Sequence, residues 1–588
     1  MNAERLLAHF EQISEAPDAV ARLRRFILDL AVRGKLVEQD PEDEPAEELL
    51  ASVALEKFRR KSRESRIAGG LLPRDRNYVQ PFSLHAGWQW TTLEDYALDV
   101  STGPFGSMLH QSDYIVGGIP VINPSHMVGG RIYADAKVSV SPGMAEQLES
   151  YKLAAGDIVM ARRGEVGRAA LVTEAEQGWL CGTGSFIVRF IPEALREYVL
   201  LFLSSDLARG YLTSNAIGTT MTNLNHGILK KAPIPLPPLA EQHRIVAKVD
   251  ELMALCDQLE AARQEREQTR ERLVAASLQR LNEPAEDAAS FRQHATFALQ
   301  TLPFLTTTTA QIKQLRQCIL NLAVRGKLVE QDSEDEPAVT WLLQRLKDSS
   351  PGRTRKPRVK VIEEGNDEVL ALLPESWLWV VLDDLIESMD SGWSPQCEDH
   401  PRSSMECWGV LKTTAVQSLS FDDRHHKELP SKLQPRPQYE ARQCDILVTR
   451  AGPKNRVGIS CVVGQVEPRL MISDKIIRFR VADEINPRFV ALALNTGRSG
   501  EAVEQAKTGM AVMQMNISQV KLRAVPIPLP PLAEQHRIVA KVDELMALCD
   551  QLEQQLSQAE QQRRRLLETV LAEALAEREP VLEELVRT

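Results

Sequence analysis

PIPLPPLAEQHRIVAKVDELMALCDQLE fills residues 233–260 and returns unchanged at 526–553. After Pro237 and Pro238, whose missing N–H groups suit a helix start, apolar residues recur at Ile245, Val249, Leu252, Cys256 and Leu259. Steps of four and three make the stripe of a coiled-coil helix. The second copy carries Ile538, Val542, Leu545, Cys549, Leu552 and Leu556, and its tail runs on through Leu566, Val570 and Leu575. No proline or glycine interrupts 239–282 or 532–579. Each segment therefore predicts a helix of roughly 60 Å or more, at about 1.5 Å per residue. One apolar stripe of that length needs a partner helix to cover it.

A second repeat supplies the partner. LAVRGKLVEQD stands at 30–40 and again at 322–332, each copy followed shortly by EDEPA. The segments leading into them, 17–33 and 308–325, are amphipathic and end at Gly34 and Gly326, both plausible C-caps. The two repeats have offsets of 293 and 292 residues, so one unit of nearly half the chain is read twice. The middle of the chain holds a long helix, a Pro-, Ala- and Thr-containing connection near 282–308, and a returning helix. The chain ends hold the same two pieces, severed. The economical reading is that the termini meet and rebuild the central arrangement, giving a pseudo-two-fold molecule; the alternative is a duplication without symmetric assembly.

Between the repeats, residues 75–232 and 370–525 share only a skeleton. Each opens on Trp-x-Trp (Trp88/Trp90 and Trp377/Trp379). Each then carries a strand and turn, GDIVMARRGEVGRAAL at 156–171 and CDILVTRAGPKNRVGIS at 444–460. Each closes on an Asn-containing stretch, TTMTNLNHGILKK at 219–231 and MQMNISQVKLR at 513–523. Common framework with divergent loops is the pattern of two domains that contact different things. The expected fold class is α+β: two globular α/β-type domains separated by long antiparallel coiled-coil-like helices. The expected divisions are 1–50, 75–235, 236–345, 370–528 and 529–588.

At 588 residues the chain exceeds one hydrophobic core. The start, MNAERLLAHFEQ, lacks a secretory signal, and no apolar run approaches membrane-spanning length, so a cytoplasmic protein is expected. A net charge of −11 argues against indiscriminate coating of nucleic acid, yet leaves room for a local basic surface. Such surfaces are suggested by RRKSRESR at 59–66 and GRTRKPRVK at 352–360, each following an acidic stretch. Cys181, Cys256, Cys318, Cys397, Cys407, Cys444, Cys461 and Cys549 form no CxxC pair, so neither a zinc knuckle nor a redox dithiol is indicated. A metal held by Cys397, Cys407 and His400 with Cys444 or Cys461 is the weaker alternative to ordinary reduced thiols.

In this order, and occurring twice, the motifs resemble those of the specificity subunits of Type I restriction–modification enzymes. PIPLPPLAEQHRIVAKVDEL and NLAVRGKLV carry the resemblance, with TGPFGSMLH (102–110), GDIVMARRGEVGRAA (156–170) and LPESW (373–377). It covers nearly the whole chain. It implies two target-recognition domains, each reading half of a bipartite sequence in double-stranded DNA, with helical regions fixing their separation. It also implies partners: two modification subunits that bind S-adenosylmethionine and methylate adenine, and two restriction (motor–nuclease) subunits that use ATP and Mg. This chain would hold no cofactor and no catalytic centre. The domains' divergence implies an asymmetric target.

Arg162 and Arg163 follow the strand DIVMA and precede Gly164 and Gly167, so a turn presents them. Arg450, Lys454, Asn455 and Arg456 occupy the matching turn between Gly452 and Gly458. Arginine reading guanine and asparagine reading adenine are the expected chemistries, with phosphate contact an equal use of arginine. Ser107 and His110, in a glycine-punctuated loop, are further candidates, with Asn223 and Asn225 near the first domain's exit and Gln514 and Asn516 near the second's. Lys230, Lys231, Lys521 and Arg523 flank the exits as phosphate ligands. His243 and His536, identical in both scaffolds, suit packing or a subunit contact.

Other classes fit less well. A methyltransferase would carry NPPY or DPPY, and NPSH at 123–126 is a poor substitute. A nuclease would need clustered carboxylates with lysine around metal, whereas the acidic runs here sit in linkers. A coiled-coil adaptor displaying two protein- or ligand-binding domains is allowed by periodicity alone; the ordered motifs favour DNA.

Overall fold

A computed structural model describes residues 15–64, 81–105, 108–163, 167–215, 224–282, 288–348, 373–509 and 511–576. The chain divides into two compact units, Met1–Glu265 with Glu560–Thr588, and Arg266–Ala559. The two long helices run Leu239–Asn282 and Leu532–Ala576, unbroken as their composition requires.

In the first unit the short helix Ala19–Val32 ends as its glycine predicts. Gly34 takes φ +68°, its amide donates to the Ala31 carbonyl at 3.3 Å, and the Lys35 amide donates to Leu30 at 2.9 Å. This pairing is the Schellman arrangement, which satisfies the last carbonyls of the helix. Phe26 and Leu30 pack against Leu567, Val570, Leu571 and Ala574. Val20, Ile27 and Ala31 join the core that contains Ile245, Val249 and Cys256. Arg24 fixes the register by reaching Asp257 at 2.6 Å and Glu260 at 2.8 Å. The severed pieces at the two chain ends therefore do meet.

The second unit repeats this plan. Helix Thr309–Ala323 is capped by Thr308, whose side chain accepts from the Gln311 amide. Ile312, Ile319 and Ala323 pack with Ile538, Val542 and Cys549, and Cys318 packs with Val274, Leu278 and Leu281. Arg316 reaches Asp550 at 2.6 Å and Glu553 at 2.8 Å, as Arg24 does in the first unit. The connection near 282–308 contains a helix, Ala288–Leu305, whose Phe291, Ala295 and Ala298 turn toward Val274 and Leu278. Its apolar residues recur at helical spacing, and this outweighs the proline near its end.

Each unit carries one α/β domain. Strand Gln89–Thr92 pairs antiparallel with Pro233–Leu236, and Leu378–Val381 with Pro526–Leu529. The Pro-Ile-Pro-Leu block is thus a strand before it is a helix start. Prolines at alternate positions suit a two-stranded edge, since they have no N–H to give a ladder, while Ile234 and Leu236 bury their side chains. A four-stranded antiparallel sheet follows, ordered Asp99–Thr102, Ser185–Arg189, Ile158–Ala161, Ala169–Leu171. Its counterpart is Ile386–Ser391, Ile476–Val481, Ile446–Thr449, Ser460–Val462. A three-stranded sheet, Ser139–Val140, Ile119–Ile122 and Leu180–Cys181 in the first unit, completes each domain; in the second it is His426–Glu428, Gly409–Leu411 and Leu470–Met471.

Among the described residues no helix is long and apolar enough to cross a membrane.

Candidate nucleic-acid interface

The topology brings three chain segments to one end of each four-stranded sheet. In the first unit, strands Asp99–Thr102 and Ile158–Ala161 finish where Ser185–Arg189 begins. The Gly103 amide donates to Ser185 at 2.9 Å, and the Arg162 amide to Gly184 at 2.8 Å. The domain's exit segment then returns to the same edge: Leu224 donates to the Arg162 carbonyl at 3.0 Å, and Arg162 Nε donates to Leu224 O at 3.3 Å. Half-buried Arg162 thereby carries Asn225 to the edge. Arg163, beside it, is exposed.

The second unit builds the same edge. The Arg450 amide donates to Lys475 at 2.7 Å, and Ile517 donates to the Arg450 carbonyl at 2.9 Å. A short ribbon adds to it, Ala451–Gly452 pairing with Met515–Asn516, and Lys454 N donates to Val512 O at 2.8 Å. Lys454, Asn455, Gln514 and Asn516 are all exposed on this assembly, next to Val512 and Met513, which are 68% and 69% exposed. Neutral amides and cations interleaved on one edge are what base and phosphate recognition requires.

Other candidates have partners inside the chain. Arg456 turns its guanidinium inward, donating to Gln417 Oε1 at 3.0 Å and to the carbonyls of Thr413 and Val416 at 2.8 Å. It clamps the small hairpin Val416–Phe421. Lys230 lies 3.8 Å from Glu94, and Arg523 pairs with Asp383, at matching places on the two exit helices. Asn225 caps helix His226–Lys230, its Oδ1 accepting from Ile228 at 2.8 Å, which leaves its amide NH₂ for another partner. Ser518 is the corresponding cap in the second unit. Lys231, at the C-cap of the first of those helices, and Lys521, within Gln519–Arg523, are exposed.

His110 starts the short turn Gln111–Asp113, with Leu109 buried beneath it among Val121, Val140 and Leu180. Ser107 and Asn223 lie outside the described residues, as do 65–66 of the first basic run and all of 352–360. Arg59 and Arg60 of the first run lie on helix Ala46–Glu64, paired with Glu56. Asn486 Nδ2 donates to His536 Nδ1 at 3.2 Å on the surface of the second unit.

Among the described residues no group of three or more His, Cys, Asp or Glu side chains, Cys397, His400 and Cys407 included, could hold a metal ion. Burial pushes the Cys181 thiol far up and Cys461 up to about 12, the behaviour of inert core thiols.

What the periodicity alone did not reveal is a polar joint where each domain meets its long helix. Glu241, 1% exposed, accepts from Trp88 Nε1 at 2.8 Å and from Gln39 Nε2 at 3.0 Å. Arg244 grips Asp43 with two bonds, at 3.2 and 2.6 Å. Glu534, Trp377, Gln331, Arg537 and Asp335 repeat the arrangement. The signal was present: Trp, Gln, Asp, Glu and Arg occur at matched offsets in both copies.

A family model described as "Type I restriction modification DNA specificity domain" matches residues 106–267 and 445–561. The chain is 37% identical over 571 residues to the Type I restriction enzyme EcoEI specificity subunit of Escherichia coli, covering 95% of this chain and 94% of that one. It is 28% identical over 570 residues to the EcoAI specificity subunit of the same species, covering 92% and 91%. A crystal structure of the HsdS subunit from Thermoanaerobacter tengcongensis aligns with a TM-score of 0.43 and 21% identity, over 84% of this chain and 98% of that one.

Proposed function

The chain belongs to the family of Type I restriction–modification specificity subunits, and from that premise we propose that its two domains read the two halves of an asymmetric bipartite site in double-stranded DNA. The observation that supports this reading best is the shared sheet edge. In both units the turn after the third strand is hydrogen-bonded to the exit segment. The backbone bonds that join the turn to the exit segment, Leu224 to Arg162 and Ile517 to Arg450, match in the two units, while the exposed side chains differ: Arg163 and Asn225 in one, Lys454, Asn455, Gln514 and Asn516 in the other. Like frames with unlike donors and acceptors yield unlike half-sites, because each base pair presents its own pattern in the major groove. Arg456, Lys230 and Arg523 serve to hold the frame.

The long helices set the spacing of the half-sites and, with the joint around Glu241 and Glu534, dock two modification subunits and two restriction subunits. S-adenosylmethionine, ATP and Mg belong to those partners. This chain supplies recognition, and the base to be methylated is flipped into a partner's pocket. Mapping methylated adenine in cells after replacing residues 75–232 with another recognition domain tests the reading. One half of the methylated sequence should change and the other persist. A change in both halves would show that the domains do not read independently.

A further inference from the structure

The two domains share a short turn whose leading residue differs in kind. Leu148 precedes the turn Glu149–Tyr151, and Arg436 precedes the turn Pro437–Tyr439. In each, the tyrosine amide donates back to that residue's carbonyl at 2.9 Å. Leu148 is 2% exposed and packs among Val121, Val140 and Leu180. Arg436, at the matching place, is exposed, and its guanidinium carbon lies over the Trp393 ring, 4.1 Å from the centroid. The stack holds the guanidinium without using its donors: among the described residues no acceptor pairs with the Arg436 side chain. Its backbone is fixed as well. The Arg436 amide donates to Met471 Sγ at 3.3 Å, and Arg478 pins the turn by donating to the Gln438 and Glu440 carbonyls, each at 2.8 Å. An arginine held over an aromatic face loses rotational freedom while the N–H groups on its edge stay unpaired.

Trp393 brings this fork of donors to the end of the sheet where the candidate interface lies. It follows strand Ile386–Ser391, whose last residue pairs with Ile477 near the start of strand Ile476–Val481. Trp393 N donates to Ile472 O at 3.1 Å, and the Asp474 amide donates to Ser394 Oγ at 3.1 Å. The next residue, Lys475, gives its carbonyl to the Arg450 amide. Trp393 and the guanidinium over it therefore stand at the same end of the four-stranded sheet as Lys454, Asn455, Gln514 and Asn516.

We infer that Arg436 reads a guanine in the second half-site, donating to its O6 and N7, and that Trp393 is the residue that positions it. The inference rests on the reading of this edge as the surface that contacts DNA. O6 and N7 are neighbouring acceptors on the major-groove edge of guanine, so a planar fork held in one orientation fits them. A phosphate can accept the same fork. Phosphate contacts, however, position a protein on the duplex without carrying sequence information, and they would serve both domains alike. This guanidinium has only a buried leucine as its counterpart, so it belongs to what makes the two half-sites differ.

The test uses the full chain assembled with its modification subunits. Methylation mapping in cells first gives both half-sites for the wild type. Arg436→Ala should lose roughly 5- to 150-fold discrimination at one guanine of the second half-site and leave the first half-site as it was. Arg436→Lys keeps the charge but not the fork, and should relax the same position. In binding to duplexes of the mapped sequence, 7-deazaguanine at that position removes the N7 acceptor; it should weaken wild type and leave R436A unaffected. Trp393→Leu should relax the position in part, and Trp393→Phe, which keeps a ring, should restore it; equal maps for these two would overturn the positioning role. A lysine variant with full discrimination, or an alanine variant that binds all sequences more weakly with a flatter salt slope, would make Arg436 a phosphate contact and overturn the inference. A second half-site without guanine, or one that R436A reads unchanged, would overturn it too. A wild-type chain that directs methylation to no two-part sequence would remove the premise, and the inference with it.

Discussion

The indole Nε1 of Trp88 donates to Glu241 Oε2 at 2.8 Å, with both side chains buried where the first domain meets its long helix. Trp88 enters the first strand of the domain and Glu241 lies in the first turn of the helix. Gln39, which follows the short helix, donates to the other carboxylate oxygen, so one glutamate ties three segments from distant parts of the chain. The same triangle of Trp377, Glu534 and Gln331 stands in the second unit. This accounts for the identity of the repeated blocks. They hold a joint whose geometry fixes how a recognition domain leaves its helix, while the loops beyond it vary.

Glu241→Ala should destabilise the first unit by about 1–3 kcal/mol, because it leaves the buried Trp88 N–H without an acceptor. Glu241→Gln keeps an acceptor oxygen and should cost less. Denaturant unfolding measures both, and equal losses would mean that the cavity left by truncation, not the indole bond, dominates.

Glu534 adds a pH dependence. Burial pushes its carboxyl above the ordinary range, and Asp335 adds to this, against the lowering effects of Trp377, Gln331 and Arg537. A carboxyl raised on folding binds a proton in the native state over a window where the unfolded chain has released it. Its contribution to stability therefore falls as pH rises from about 4.3, the unfolded value, through the raised folded value. Unfolding measured from pH 4 to 7 should show wild type losing stability relative to Glu534→Gln as pH increases. A difference that is flat, or that grows in favour of wild type, would contradict this sign.

The exposed edge residues should act on DNA and not on folding. Arg163→Ala and Lys454→Ala, in complexes with the partner subunits, should leave thermal unfolding unchanged. If they touch phosphates, binding should weaken for all sequences and the salt slope should flatten by about one ion per residue. Loss of a base contact at Asn455 or Asn516 should instead cost about 1–3 kcal/mol and relax one position of the methylated sequence. Unaltered affinity, salt slope and target in all four variants would move the interface elsewhere.

Arg456→Ala is the opposite case. Three inward hydrogen bonds tie its guanidinium to Thr413, Val416 and Gln417. Leaving those acceptors unpaired should lower stability by about 1–3 kcal/mol, with the salt slope of DNA binding unchanged. A flatter slope in a fully stable variant would return Arg456 to the phosphate contacts.

Arg456 shows where a linear reading stops. It sits in a glycine-bounded turn after a strand, and that turn is legible from the counterpart of GDIVMARRG. That its guanidinium turns inward depends on Gln417, some forty residues earlier, and no local pattern reports that. Lys230 and Arg523 stand out in the sequence as cations at the domain exits, but their acids, Glu94 and Asp383, come from the domain entries. The long helices were readable because 44 and 45 residues without a helix breaker repeat one stripe. The strand in PIPLPP was hidden because proline usually argues against a strand, and only pairing with Gln89–Thr92 makes an edge for it.

Gly326 bears on the same joint and gives the sharpest test of its rigidity. The residue ends the helix Thr309–Ala323 with φ +66°, a conformation that costs an L side chain about 1–2 kcal/mol. A Cβ built there would also come within 2.4 Å of Pro374 Cγ and 3.2 Å of the Trp377 ring, the indole that donates to Glu534. Gly326→Ala should therefore destabilise the second unit by at least the backbone cost and push Trp377 off its acceptor. The near-UV circular dichroism of the tryptophans should change with it. Gly464, whose Cβ would meet no atom within 4 Å, is the control, and Gly464→Ala should be close to neutral. If the joint orients the domain, Gly326→Ala should also weaken recognition of the second half-site while leaving the first intact, read by methylation mapping at permissive temperature. A variant as stable as the control, with both half-sites methylated normally, would show that the helix end tolerates rearrangement and that domain orientation is set elsewhere.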